Sequence, residues 1–324
     1  MTQSCKTLLL AAFAIALAVA PRPVGAQSYP SRAIHFINPF PAGGPSDTVA
    51  RIYAQRMAQD WNQSVVVENR VGATGTIGTE AVVRSPPDGY TLAFTVDLPI
   101  TMAPALMSMH YDPRRDLIPV AAVASAENVM SVKASAGIHS LAELVAAAKA
   151  QPGVLTFASA GNGSPGHLCG EMIKARAGID MIHVPFTGAA PAMNAVLAGN
   201  VTMFCGPIEV TLPHIKAGTV VGVGVTGTKP SPLLPDVAPL SATYPGLVIA
   251  NWFGLLAPAG TPPAVTAALE SEFKKISDDA ELQQRLTQMG LDPQWLSSAG
   301  LARRIEADTV KWHDFVESAH IRSN

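Results

Sequence analysis

Ile37-Asn38-Pro39-Phe40-Pro41-Ala42-Gly43-Gly44-Pro45-Ser46-Asp47 is the stretch whose reading decides the fold. Ahead of it, Ala33 to Ile37 is a short apolar, partly β-branched run that predicts a strand. Behind it, Val49, Ile52, Tyr53 and Met57 recur at helical spacing. The order is strand, tight loop, helix. Ser46 is the expected N-cap, and Asp47 suits the positive end of the helix dipole. Gly43 and Gly44 carry no Cβ, so a ligand can approach the backbone closely. Free N–H groups at a helix start favour an anion. A tight strand-to-helix connection that binds nothing is the alternative reading.

A second loop of the same kind follows. Asn69-Arg70-Val71-Gly72-Ala73-Thr74-Gly75-Thr76-Ile77-Gly78 comes after a strand over Val65 to Val67 and leads into a helix expected from near Thr79. Its glycines fall in a G-x-x-G-x-x-G pattern, which is not the dinucleotide fingerprint. Pro86-Pro87-Asp88-Gly89 predicts a turn and Tyr90 to Val96 a strand. This alternation argues for a mostly parallel sheet with helices on its faces. Tyr111 to Asp116 reads as a charged, exposed connection.

The grammar then restarts, with strands over Val129 to Val132, Val154 to Ala158, Met181 to Val184, Val201 to Phe204 and Val220 to Val225. Ser140 is the expected cap of a helix over Leu141 to Ala148. Ser159-Ala160-Gly161-Asn162-Gly163-Ser164-Pro165-Gly166 is a third glycine-rich loop opening a helix. Two α/β units in series suggest two lobes around one cleft, with ligands at the carboxyl ends of the strands. From Asn251 the character changes. Trp252 to Pro258 predicts a returning strand; the rest reads as helices over about Pro262 to Ser277, Ala280 to Met289 and Ser298 to Ser318. Thr261 is the expected cap with Pro262 at the first helical position, and these helices are expected on the first lobe.

At the front, Met1 to Ala26 has the form of a secretory leader, with Lys6 ahead of an apolar run from Leu8 to Ala20 and small residues at Val24-Gly25-Ala26. Cleavage is expected before Gln27, and the run is too short to span a membrane. The chain of 324 residues has a formal net charge of −2, and loss of Lys6 and Arg22 makes it more acidic. No basic surface for nucleic acid is therefore expected. Cys169 and Cys205 are the cysteines left after cleavage. In an oxidising compartment they form a disulfide, if a 2-1-3 strand order makes their strands neighbours, or else pack as buried thiols.

Catalytic patterns are weak. Asn162-Gly163-Ser164-Pro165-Gly166 lacks the first glycine of a nucleophile elbow. His167 and Glu171 stand four apart on a helix, without a third metal ligand at suitable spacing. The other histidines, His35, His110, His139, His183, His214, His313 and His320, are read as solvent-facing or satisfied, and Trp252 and Trp312 as packing residues. The alternative to a binding protein is an exported α/β hydrolase using Ser164 and His167.

The chain resembles the Bug-type extracytoplasmic solute receptors of the tripartite tricarboxylate transporter family. The matching pieces are Tyr29-Pro30-Ser31-Arg32, Pro39 to Asp47, Val67 to Gly75, Pro87 to Leu92, His183-Val184-Pro185-Phe186-Thr187-Gly188 and Leu256 to Pro262. The resemblance implies the type II periplasmic-binding-protein fold, an α/β architecture with two α/β lobes around a ligand cleft. It implies a periplasmic, non-enzymatic receptor that captures a small organic carboxylate for the membrane components of such a transporter. It calls for no cofactor, no metal, no nucleic acid and no direct membrane insertion, and the expected state is a monomer. The expected lobes are residues 27–124 plus 251–324, and residues 125–250.

The resemblance further implies that backbone amides and waters of the first two glycine-rich loops hold the ligand carboxylate. The expected set is Phe40, Ala42, Gly43, Gly44, Ser46, Thr74, Gly75, Thr76 and Thr95 from the first lobe. The second lobe contributes Ser159, Gly161, Gly163, Ser164, Phe186, Thr187 and Cys205. The family often has Tyr-Lys where this chain has Phe186-Thr187. Losing that hydroxyl and cation points to a mono- or dicarboxylate, aromatic ones included, rather than a highly charged ligand such as citrate.

Overall fold

The computed structural model describes residues 29–318. The expected leader, Met1 to Ala26, and His320 lie outside the described residues. Arg32 opens a compact unit that holds everything described below. Among the described residues no helix is long and apolar enough to cross a membrane.

The first elements alternate as the periodicity predicts: β1 (Ile34–Asn38), α1 (Pro45–Trp61), β2 (Val65–Asn69), α2 (Thr76–Val83) and β3 (Thr91–Val96). A long strand follows, β4 (Leu117–Lys133). Then come α3 (Leu141–Ala150), β5 (Thr156–Ser159), α4 (Pro165–Ala177), β6 (Ile182–Pro185), α5 (Ala189–Ala198), β7 (Met203–Pro207), α6 (Ile208–Lys216) and β8 (Val220–Val225). The described residues close with β9 (Ala250–Pro258), α7 (Pro263–Ser277), α8 (Ala280–Gln288), β10 (Leu291–Leu296) and α9 (Ser298–Ser318).

Strand pairing shows how the halves are joined. β1 lies parallel between β2 and β3, and β9 runs antiparallel beside β3. β4 pairs with β9 over Leu117 to Glu127 and with β10 through Leu291 and its neighbours. From Asn128 onward the same strand pairs instead with β7 and β8, all antiparallel. β5 lies parallel between β6 and β7. Each half therefore repeats one order, second strand, first strand, third strand and then an antiparallel strand, and β6-β5-β7 is the 2-1-3 order under which the strands leading to Cys169 and Cys205 are neighbours.

Each half has its own core. Ile37, Ala93, Leu117, Trp252 and Leu256 pack together in the first. Beside them Phe36, Tyr53, Phe94 and Phe273 form an aromatic group, with Tyr53 and Phe273 stacked at 4.9 Å. Met130, Leu144, Phe157, Leu168, Ile173 and Met203 build the second. Trp252 and Trp312 are buried packing residues, as expected.

Five local readings are corrected. Gly44, not Ser46, caps α1, because Pro45 already occupies the first helical position and Ser46 turns its hydroxyl inward to Asn38. Helix α2 starts at Thr76, ahead of the expected Thr79. Thr261 donates to the Pro258 carbonyl, and Pro262 takes the cap position of α7. The tail is not all helix, since β10 adds to β4. Finally, α9 does not stay on the first core: Leu301 and Ile305 pack there, but Trp312 enters the second. A helix of this length spans about 30 Å, enough to reach both.

Candidate functional site

The first two glycine-rich loops are locked to each other. Asn69, the last residue of β2, donates to the Phe40 carbonyl at 2.9 Å and to Asp47 Oδ1 at 2.8 Å. Gly78 sits so close to Pro39 and the Arg70 carbonyl that a Cβ there would meet both. A Cβ on Gly75 would touch the Phe40 ring, Pro99 and Pro39 at 3.2 to 3.4 Å. Ala73 and Thr74 hold positive φ of 44° and 58°, a strained backbone for residues with side chains.

Asp47 is the anchor of this arrangement. Its side chain is 4% exposed. Burial alone would raise the carboxyl, but bonds from Arg51, the Gly43 N–H and Asn69 outweigh it and bring it down to about 2. The Gly43 N–H, expected to face a ligand, thus donates to Asp47 at 2.9 Å. The Gly44 N–H donates to the Pro41 carbonyl, that of Gly75 to Gly72, and that of Thr76 to Ala73. These residues shape the loops rather than offer donors. Ala42, Ser46, Asp47 and Thr74 keep backbone amides with no hydrogen-bond partner among the described residues. Unpaired amides at a helix start are donors of the kind that favour an anion.

The second half brings Ser159, Gly161, Gly163, Ser164 and Phe186 together at the carboxyl ends of β5 and β6. Phe186 N–H donates to the Ser159 carbonyl, and the Gly161 N–H to Ser159 Oγ. Ser164 caps α4 by accepting the His167 N–H at 3.3 Å. Thr187 is exposed beside Phe186. The segment after β3 reaches both loop sets. Pro99 lies against Gly75, and a Cβ on Gly163 would meet Leu106 at 2.9 Å.

Four side chains of the expected set face inward, Ser159 among them, fully buried against Gly161 and His183. Thr95 is fully buried and donates to the Val96 carbonyl. Ser46 is buried against Asn38. Cys205 is buried in the second core opposite Cys169, and both are free thiols rather than a disulfide. Burial, then the neighbouring Cys169, holds the Cys205 thiol well above its ordinary range.

Ser164 and His167 do not form a nucleophile and base. The Nδ1 of His167 accepts the Gly163 N–H at 3.1 Å, so the proton of the neutral ring sits on Nε2. No ring nitrogen is left to take the Ser164 proton. Glu171 pairs with Lys174 at 3.0 Å.

Two residues escaped the sequence reading. Asn69 is one; an amide side chain at a strand end, next to a glycine-rich loop, is the available signal. Asp97 is the other. It stands fully buried at the end of β3, where burial first and Asp308 next push its carboxyl up to about 8. Its signal is a lone acid in the apolar run from Leu92 to Met102. A separate cavity of about 410 Å³ lies away from the loops, between Ser125, Glu127, Lys229, Asp292, Arg304 and Lys311.

Residues 49–321 match the family model described as Tripartite tricarboxylate transporter family receptor. Protein BugT of Bordetella pertussis is 34% identical over 294 residues, covering 89% of this chain and 90% of that protein. The solved structure of R. palustris Rpa4515 with adipate superposes with a TM-score of 0.81 at 30% identity, covering 91% of this chain and 99% of that one. MatC of Rhodopseudomonas palustris with bound malate gives a TM-score of 0.76 at 29% identity, covering 89% and 100%. The fold is that of the periplasmic binding proteins, and the chain belongs to the tripartite tricarboxylate transporter receptor family.

Proposed function

We propose that this protein captures a small organic mono- or dicarboxylate in the periplasm and presents it to the membrane components of a tripartite transporter. The observation that carries the reading is the interlocked pair of first-half loops, with open amides at Ala42, Ser46, Asp47 and Thr74. One ligand carboxylate sits on these amides, through bonds each worth roughly 1.5–3 kcal/mol. The other end meets the second half at Ser159, Gly163, Ser164 and the Phe186-Thr187 wall. The likeness to proteins bound to adipate and malate supports this class.

The two lobes are 27–124 with 251–324, and 125–250, with the far end of α9 reaching across to the second core through Trp312. The strand pairing supports this division, since β4 changes partners between Glu127 and Asn128. The leader is removed before Gln27, and the receptor acts as a monomer without catalysing a reaction.

Thermal melts against a carboxylate panel including adipate, malate and citrate test the reading, because a ligand that binds only the folded state raises the midpoint. Gly43→Val is the decisive variant. Gly43 is exposed with φ of 80° and open space around a would-be Cβ, so a branched side chain projects where the ligand must approach. Affinity falls by at least about tenfold, or roughly 1.4 kcal/mol. Unchanged affinity in calorimetry, with the fold intact, removes this placement. Ester turnover abolished by Ser164→Ala would favour the hydrolase instead.

A further inference from the structure

Two imidazoles shape the loop after β5. The Nε2 of His183 lies 2.7 Å from Ser159 Oγ. That hydroxyl donates to the Gly161 carbonyl at 3.1 Å and accepts the Gly161 N–H at 3.2 Å. With its proton on the Gly161 carbonyl, the hydrogen-bond network assigns the donor role to His183 Nε2–H. His167 stacks on His183 at 4.1 Å and 20°, and accepts the Gly163 N–H on its Nδ1. Phe157 covers His183 at 4.8 Å. Gly161 and Gly163, with φ of 130° and 74°, are thus each tied to an imidazole, one through Ser159 and one directly.

We propose that the stacked His167–His183 pair positions the second-half ligand loop, and that a proton taken up by the pair loosens the loop and releases the ligand. This rests on the reading of that loop as a ligand wall. A proton on His167 Nδ1 turns the acceptor of the Gly163 N–H into a second donor facing it. A proton on His183 places a charge between two ring faces.

The surroundings oppose both charges. Burial first, then His167 and Lys174, push His183 down to about 4. Burial also lowers His167, against the pull of Glu171. Glu171 and Lys174 on α4 are paired with each other. β5 brings Ser159 and Phe157, β7 the uncharged Cys205 thiol beyond Gly166, and the segment after β3 the apolar Leu106. The positioned loop therefore holds neutral rings. A released loop protonates nearer the ordinary histidine value, so binding weakens as pH falls from about 7 towards 4.

The test uses the intact protein with adipate and malate as probes. His183→Gln keeps a side-chain donor for Ser159 but cannot titrate; His167→Gln keeps an acceptor for Gly163 and serves as the second variant. Between about pH 7.5 and about pH 5.5 the wild type loses about tenfold more affinity than the double variant His167→Gln/His183→Gln, with each single variant losing less than the wild type; the comparison also subtracts titration of the probe itself. A ligand-free arm measures hydrogen exchange at the Gly161 and Gly163 amides, corrected for intrinsic rates. Protection drops across the same interval in the wild type and not in the double variant. Identical exchange profiles in wild type and variants overturn the proposal, whether or not a probe binds. If neither probe binds but the exchange difference persists, the pair's role stands and the carboxylate reading fails.

Discussion

Asp47 does at the residue scale what a bound anion was expected to do: it occupies the Gly43 amide and, through Asn69, ties two loops into one surface. Its folded value near 2 lies below that of an unfolded aspartate, so its contribution is present above about pH 4 and is lost as pH falls towards 2. The shift corresponds to about 2 kcal/mol. Asp47→Ala is expected to lower unfolding stability by roughly that amount at neutral pH, measured by urea titration, and to flatten the acid limb. An unaltered acid limb would show that the pairing carries no stability. Asp47 at a helix start was legible in the sequence, but its partners were not. Asn69 lies 22 residues away, and only the parallel register of β1 with β2 brings it alongside.

At the scale of elements, close packing of α4 on β7 fixes the third glycine-rich loop. A Cβ on Gly166 would overlap the Cys205 carbonyl oxygen, a backbone atom that cannot swing aside. Gly166→Ala is therefore expected to cost about 1–3 kcal/mol or more, read as a drop in denaturation midpoint, despite alanine's better helix propensity. A gain in stability would mean that the helix can slide. Elements with strong periodicity, such as α1, or with a clear cap, such as the Ser140-capped α3, were readable from sequence. β4 was read only at its far end, because Pro119 interrupts its start and Ala121 to Ala126 is mostly alanine, with Val123 its one β-branched residue. β10 was missed because Pro293 interrupts a six-residue run; the strand survives beside β4 with a register shift at that proline.

For the whole molecule, Asp97 and Glu127 carry buried carboxyls at the joint between the halves. Burial chiefly raises them, to about 8 and about 7. Asp97 faces Arg304, Asp308 and Lys311 of α9; Glu127 faces Asp292 of β10 and Lys229 beyond β8. Arg304 and Lys311 also hold the carbonyls of Ala250 and Val248, where the chain re-enters the first half. The sign is opposite to that of Asp47. A carboxyl raised in the fold stabilises fully below its unfolded value and loses that contribution as pH climbs through the folded one. Stability from this joint therefore declines between about pH 4 and pH 8. Asp97→Asn is expected to lessen the decline, giving a higher melting point than wild type at about pH 8 but not at about pH 5. Parallel melting curves across that range would exclude the assignment. The two-half plan was legible because the strand-helix grammar restarts. The joint was not, since it unites Asp97, Glu127, Lys229, Asp292 and α9 from distant parts of the chain.

The open amides at Ala42, Ser46, Asp47 and Thr74 have a kinetic consequence. Peptide dipoles act over a few ångströms, whereas a surface lysine or arginine attracts an anion from a Debye length away, about 8 Å in physiological salt. The proposed capture by amides gives little long-range steering. Stopped-flow association with adipate should change less than about threefold between low and high ionic strength, unlike the steep decline of steered encounters. Such a receptor would work at nearly one rate in dilute water and in brine.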